Sequence, residues 1–267
     1  MLVSLPMYDW PEVATQTDSL WQLIANEFKQ LDLAVPEHLN RSEPLERLWT
    51  GGDILFSQTC GWPLVEKLGH SVALLCGPVY NVEGCKSTMY SSRIICRASD
   101  SRAELKDFQG SIVVINGENS QSGFQAMKSS LVEKSLKAPF FSKQVVSGAH
   151  RESANMVANG KADLCAIDPV SWQLAKRFEP EIATQLRVIG ETPYTPGLPY
   201  ICSVDILNPT QLQTIRESLL KLMNNLPETL ATDLMIAGAE AVDYEYFQIT
   251  SELDKQATAA GHARLAP

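Results

Sequence analysis

Ser120, Gln121, Ser122 and Gly123 follow the apolar run Ile112-Val113-Val114-Ile115 and stand just before Phe124, Met127 and Leu131, which recur at helical spacing. A buried strand that enters a short polar loop and then a helix presents unpaired backbone N–H groups and the positive end of the helix dipole. Such a helix start suits an anion. The hydroxyls of Ser120 and Ser122 add neutral donors, Gln121 adds an amide, and Gly123 allows close approach of the backbone. Asn119 and Ser120 are equally ordinary helix caps.

The same form recurs. Val145-Val146-Ser147-Gly148-Ala149-His150 reads as strand, small loop and helix start, with His150 in the first turn. Leu164-Cys165-Ala166-Ile167-Asp168-Pro169 is an apolar strand ending in a carboxylate. Asp168 suits either a cap ahead of a proline-initiated helix or an acceptor for a proton carried by a ligand. Earlier in the chain, Ile54-Leu55-Phe56 runs into Ser57, Gln58 and Thr59, and Tyr8 and Tyr90 are aromatic candidates for lining a cleft. Ligands of open α/β sheets sit at the carboxyl ends of strands; Tyr90 stands before the expected crossing between lobes.

Catalytic and metal motifs fail on inspection. Gly84-Cys85-Lys86-Ser87-Thr88 lacks the glycine spacing of a nucleotide P-loop. Ser122-Gly123 lacks the preceding glycine of a nucleophile elbow, because position 120 is serine. The four histidines are scattered, and the six cysteines show no CxxC pair or zinc spacing. No catalytic residue, metal or cofactor is expected. Most of the cysteines read as core residues; Cys60 and Cys85, in loop-like settings, are the candidate disulfide pair.

The elements that must position these residues alternate along the 267-residue chain. Strand-like runs at 2–5, 54–57, 72–76, 92–96, 112–115, 144–147, 164–167 and 186–189 are separated by helical stripes, including Leu20-Ile24-Phe28-Leu31 and Leu212-Ile215-Leu219-Leu222. A further helix begins near Pro227. The alternation implies an α/β fold with βαβ units, parallel pairing and helices on both faces. Loops rich in Pro and Gly at 77–84 and 192–199 are the expected crossings between two lobes. That places residues 1–92 plus 200–267 in one lobe and 93–199 in the other. With 45% hydrophobic and 20% charged residues the composition is that of a globular protein, and no apolar run reaches the roughly 20 residues of a membrane span. A net charge of -9 argues against nucleic-acid binding.

Together, Ser4-Leu5-Pro6-Met7-Tyr8, Ser57-Gln58-Thr59-Cys60-Gly61, Asn119-Ser120-Gln121-Ser122-Gly123, Ser147-Gly148-Ala149-His150, Gly160-Lys161-Ala162-Asp163 with Ala166-Ile167-Asp168, and Thr195-Pro196-Gly197-Leu198-Pro199 resemble the substrate-binding components of phosphate, phosphite and phosphonate ABC transporters. The resemblance implies a two-lobed type II periplasmic-binding-protein fold, each lobe a mixed sheet flanked by helices, joined by a two-strand hinge. It implies an oxyanion held between the lobes by Ser120, Gln121, Ser122, His150 and Asp168, an ABC-transporter permease as partner, a monomeric state and no chemistry on the ligand. Gln121 departs from the family's Ser/Thr-rich helix start. The N-terminus Met1-Leu2-Val3-Ser4-Leu5-Pro6 has no export signal, so the expectation is periplasmic by resemblance and cytoplasmic if the sequence is full length. The alternatives are an enzyme of the menaquinone- or thiamin-precursor type on the same fold, with His150 as general base, and a cytoplasmic ligand sensor.

Overall fold

The computed structural model describes residues 1–267. In chain order the principal elements are β1 (Leu2–Val3), α1 (Ala14–Lys29), β2 (Ile54–Gln58), β3 (Val72–Tyr80), β4 (Arg93–Arg97), β5 (Ile112–Ile115), α2 (Ala126–Glu133), β6 (Lys143–Val146), α3 (His150–Ala158), β7 (Leu164–Ile167), α4 (Pro169–Phe178), β8 (Leu186–Glu191), β9 (Tyr200–Ser203), α5 (Pro209–Met223), β10 (Ile236–Glu240) and α6 (Tyr244–Ala259). No helix is long and apolar enough to cross a membrane.

The chain forms two compact units. Unit one comprises Met1–Asn81, Lys86–Thr88 and Gly197–Tyr246; unit two comprises Val82–Cys85, Met89–Pro196 and Phe247–Pro267.

Unit one is built on a five-stranded sheet of order β1-β2-β9-β3-β10. β1 and β2 are parallel, and β9 runs antiparallel to both β2 and β3. The helical stripe of α1 buries Leu20, Ile24 and Phe28, joined by Trp21 and Ala25, against Phe56 of β2 and Tyr200 of β9. α5 starts where Asn208 accepts the Gln211 N–H, the Gln211 side chain accepts the Asn208 N–H, and Pro209 takes the first helical position. Its residues Ile215, Leu219 and Met223 complete the same core.

Unit two carries a second five-stranded sheet of order β8-β4-β7-β5-β6. β5 lies parallel to β6 and to β7, whereas β4 is antiparallel to β7 and to β8. Ile94, Val113, Ile115, Met127, Leu131 and Leu164 form its core with Phe108, Phe140 and Phe141.

Both sheets are mixed, as the resemblance implies, and the parallel pairing read from strand–helix alternation holds for β1 with β2 and for β5 with β6 and β7. β3 continues to Tyr80, past the expected end at Cys76. β10 and α6 correspond to no expected element; β10, Ile236-Ala237-Gly238-Ala239-Glu240, has one β-branched residue, and its pairing to β3 is what makes it a strand.

The division differs from the expected one chiefly at the C-terminus, where residues 247–267 belong to unit two. The reasons are local. Lys128, nearly fully buried on α2, pairs with Asp254. The His262 Nε2–H donates to the Leu136 carbonyl at 2.8 Å, and Leu265 and Ala266 pack beside Phe140 and Phe141. All six cysteines are thiols, so the Cys60–Cys85 disulfide does not form. Cys60 instead places its sulfur 3.8 Å from that of Met7, and burial pushes the Cys85 thiol up to about 12.

Candidate functional site

Parallel pairing of β6 and β7 on either side of β5 brings three carboxyl ends to one edge of the unit-two sheet. Ile115 is in register with Val146, and Val114 with Cys165. The segments that follow, Asn116–Gly123, Ser147–His150 and Asp168, therefore emerge side by side. Three helix starts meet there, two of them capped by the Ser120 and Asp168 side chains.

After β5 the chain makes a π-type turn over Gln121–Gln125 that leads directly into α2. Ser120 is its cap: the Ser120 Oγ accepts the Gly123 N–H at 3.0 Å, leaving its O–H proton to donate elsewhere. The Ser122 Oγ lies 3.5 Å from that of Ser120 and 2.7 Å from His150 Nε2. The Asn116 side chain lies close over Gly123: a Cβ there would stand 1.9 Å from Asn116 Oδ1, so that side chain would have to move.

α3 begins at His150 with Ala149 as its cap residue, which has no side chain to cap the first turn. The left-handed Gly148 (φ +94°) makes the preceding turn. Ser147 stabilises that turn by donating to Ile115 O and lying 2.7 Å from Ser153 Oγ. Burial pushes the His150 imidazole down to about 4, so it is neutral at pH 7. Its Nδ1 is buried without a protein partner. When Nε2 carries the proton and donates to Ser122 Oγ, the Ser122 O–H is freed to donate to an anion. The flanking Arg151 is engaged with Glu179 at 2.9 Å and adds no uncompensated charge.

Asn116, Gln121 and Gln125 belong to the same segment, on either side of Ser120. Their side-chain oxygens are buried with no protein partner. A buried orphan of this kind costs about 1–3 kcal/mol, and such orphans concentrate at sites completed by a ligand or water. The Gln121 amide nitrogen is 3.5 Å from Thr195 Oγ1, and Thr195 is in register with Tyr90 in the Met89–Tyr90 and Thr195–Pro196 ladder. Tyr90, 4% exposed, is thereby tied to the same wall. Asn116, Gln125 and Thr195 were not singled out in the sequence; Asn116, at the end of a buried strand, is the one that strand-end reasoning could have found.

Asp168 is 2% exposed and caps α4: its Oδ1 accepts the Val170 N–H at 2.8 Å and the Ser171 N–H at 3.1 Å. The cap reading of Asp168 is therefore realised, and that oxygen is committed to the backbone.

In unit one, parallel β1 and β2 bring Ser4–Tyr8 and Ser57–Thr59 to one sheet edge. Gln58 is not a free donor as expected: its amide nitrogen donates to Tyr80 Oη at 3.2 Å and Leu198 O at 3.0 Å. Tyr8 packs edge-on against Tyr80 at 5.2 Å. Ser57 is fully buried, and its hydroxyl has no protein partner. The Thr59 hydroxyl reaches only the Cys60 carbonyl, at 3.4 Å.

No curated protein matches the chain. Solved structures do match it along nearly its whole length. PhnD1 from Prochlorococcus marinus in complex with methylphosphonate superposes with a TM-score of 0.75 at 15% identity, over 96% of this chain and 98% of that one. A binding protein component of an ABC phosphonate transporter from Pseudomonas aeruginosa gives 0.75 at 16% identity, over 98% and 88%. The periplasmic aliphatic sulphonate binding protein SsuA from Escherichia coli gives 0.59 at 15% identity, over 100% and 88%. At these identities the likeness carries the fold, which is that of periplasmic binding proteins. Residues 53–247 match the family described as ABC transporter, phosphonate, periplasmic substrate-binding protein. With the strand-end geometry and the shared fold, that match over most of the chain makes this protein a member of the phosphonate ABC-transporter substrate-binding family.

Proposed function

We propose that the protein is a receptor that binds a small tetrahedral oxyanion, a phosphonate in preference to phosphate or phosphite, and passes it unchanged to an ABC-transporter permease. The observation that carries this reading is the 2.7 Å contact of Ser122 Oγ with a neutral His150, beside two helix starts at one sheet edge. Helix-start N–H groups and the Ser120 and Ser122 hydroxyls, the latter freed by the His150 N–H, supply donors without formal charge. That suits an anion in a protein of net charge -9. Family membership favours the periplasm as the place of work, and a monomer suffices for the site.

The Ser122–His150 pair also invites an enzymatic reading, but two features weigh against it. An imidazole held near pH 4 is a weak general base at neutral pH. No side chain orients its Nδ1, as a nucleophile–base pair requires.

Isothermal titration with methylphosphonate, phosphate, phosphite and sulfate, followed by mass spectrometry of the recovered ligand, tests the proposal. Tight binding of the phosphonate with quantitative recovery supports it. Absence of binding to all four anions, or conversion of the ligand, overturns it.

A further inference from the structure

A cleft of about 520 Å3 lies within unit one at the start of β3, a volume within the usual small-molecule range. It exists because β10 pairs with β3 only from Gly77 to Tyr80, after which the chain turns into α6. The first residues of β3 are paired to β9 on one side and face the cleft on the other.

α5 forms one wall. Gln213, Arg216, Glu217 and Leu220 lie on the face opposite to the core residues Ile215 and Leu219. Arg216, half-buried, donates from Nε to the Leu74 carbonyl at 2.8 Å. That bond anchors the guanidinium at the cleft floor and leaves its two terminal nitrogens unspent. The nearby acids are otherwise engaged: Glu217 accepts from Gln213 at 2.6 Å, and Asp243 accepts the Tyr246 N–H at 2.8 Å as the cap of α6. The apolar part of the lining comes from Val72, Leu74, Leu220 and Val242, with His70 and Tyr244 beside them.

We infer that this cleft is a second ligand site, distinct from the oxyanion cradle of unit two, and that it takes a small amphipathic carboxylate. The carboxylate would lie against the Arg216 fork, the geometry that matches guanidinium donors two by two. An apolar or aromatic body would cover Leu74, Leu220 and Val242. Glu217 and Asp243 at the rim oppose a second negative charge, which favours a monoanion over a phosphate dianion.

Phenylacetate and its neutral amide, phenylacetamide, are titrated separately into the isotopically labelled full-length protein, with amide shifts followed by NMR. The expected result is a shift centred on Leu74, Arg216 and Tyr244, with the acid binding at least about tenfold tighter than the amide. Arg216→Gln abolishes that preference, and Val242→Trp, which fills the cleft and leaves Arg216 in place, abolishes binding of both probes. Equal binding of acid and amide to the wild type, no shift at those residues, or undiminished binding by Val242→Trp overturns the assignment. Should Arg216→Gln fail to fold, the wild-type comparison and Val242→Trp still decide.

Discussion

The Ser122 hydroxyl and the His150 imidazole meet at 2.7 Å across 28 residues of sequence, because β5 and β6 are parallel neighbours whose following helices start at the same edge. Two groups already hydrogen-bonded to each other need little reorganisation when a ligand arrives. Ser122→Ala and His150→Ala should each weaken phosphonate binding by about 1–3 kcal/mol, with a double-variant loss smaller than the sum. Titration calorimetry of the three variants measures this; unchanged affinity in both single variants removes the site.

The imidazole also links stability to pH. His150 is near 6.5 in the unfolded chain and about 4 in the fold, so the unfolded state binds the proton more readily. Its contribution is full above about pH 6.5 and is lost as pH falls towards 4, by about 3 kcal/mol at most. Urea unfolding of wild type and His150→Gln at pH 7 and near pH 4.5 isolates the effect, since other titrations are common to both. The wild type should lose more stability than the variant.

Gly123→Ala introduces a Cβ that would overlap Asn116 Oδ1. Either the Asn116 side chain or the first helical turn must move, and the Ser120 cap moves with it. Binding should fall about tenfold or more, with a stability loss of roughly 1–3 kcal/mol. Melting temperature and titration calorimetry on the same sample give both readings; an unaltered affinity would show that the turn does not need its glycine.

Asp168→Asn separates two roles of one carboxylate. Asparagine caps as well as aspartate, so α4 should keep its stability within about 0.5 kcal/mol. Removing the charge beside the cradle should relax discrimination against sulfate, which unlike a phosphonate carries no proton near neutral pH. Competition titration reports the ratio, and an unchanged phosphonate-to-sulfate preference confines Asp168 to capping.

The C-terminal segment is held in unit two by the buried Lys128 ammonium on Asp254. Asp254→Ala strands a buried charge and should destabilise by about 3–5 kcal/mol, while Lys128→Met combined with Asp254→Ala should recover much of the loss. Chemical denaturation of the single and double variants checks this, and a single variant as stable as the wild type would show that the pair holds nothing.

Strand ends, helix stripes and the polar loops between them were legible in the sequence because each depends on neighbours within a few residues: apolar runs, helical spacing and cap residues. Ser120, Ser122 and His150 were found on those grounds. The engagement of Gln58 by Tyr80 and Leu198 and the orphaned oxygens of Asn116, Gln121 and Gln125 depend on which groups meet through folding. So do the sheet orders, the strand β10 and the place of residues 247–267. A strand such as Ile236–Glu240 has little intrinsic preference, and only pairing to β3 makes it one. The sequence by itself determined what each strand end offers. The tertiary structure decided which of those offers are already taken, because hydrogen-bond partners distant in sequence are chosen by register and packing.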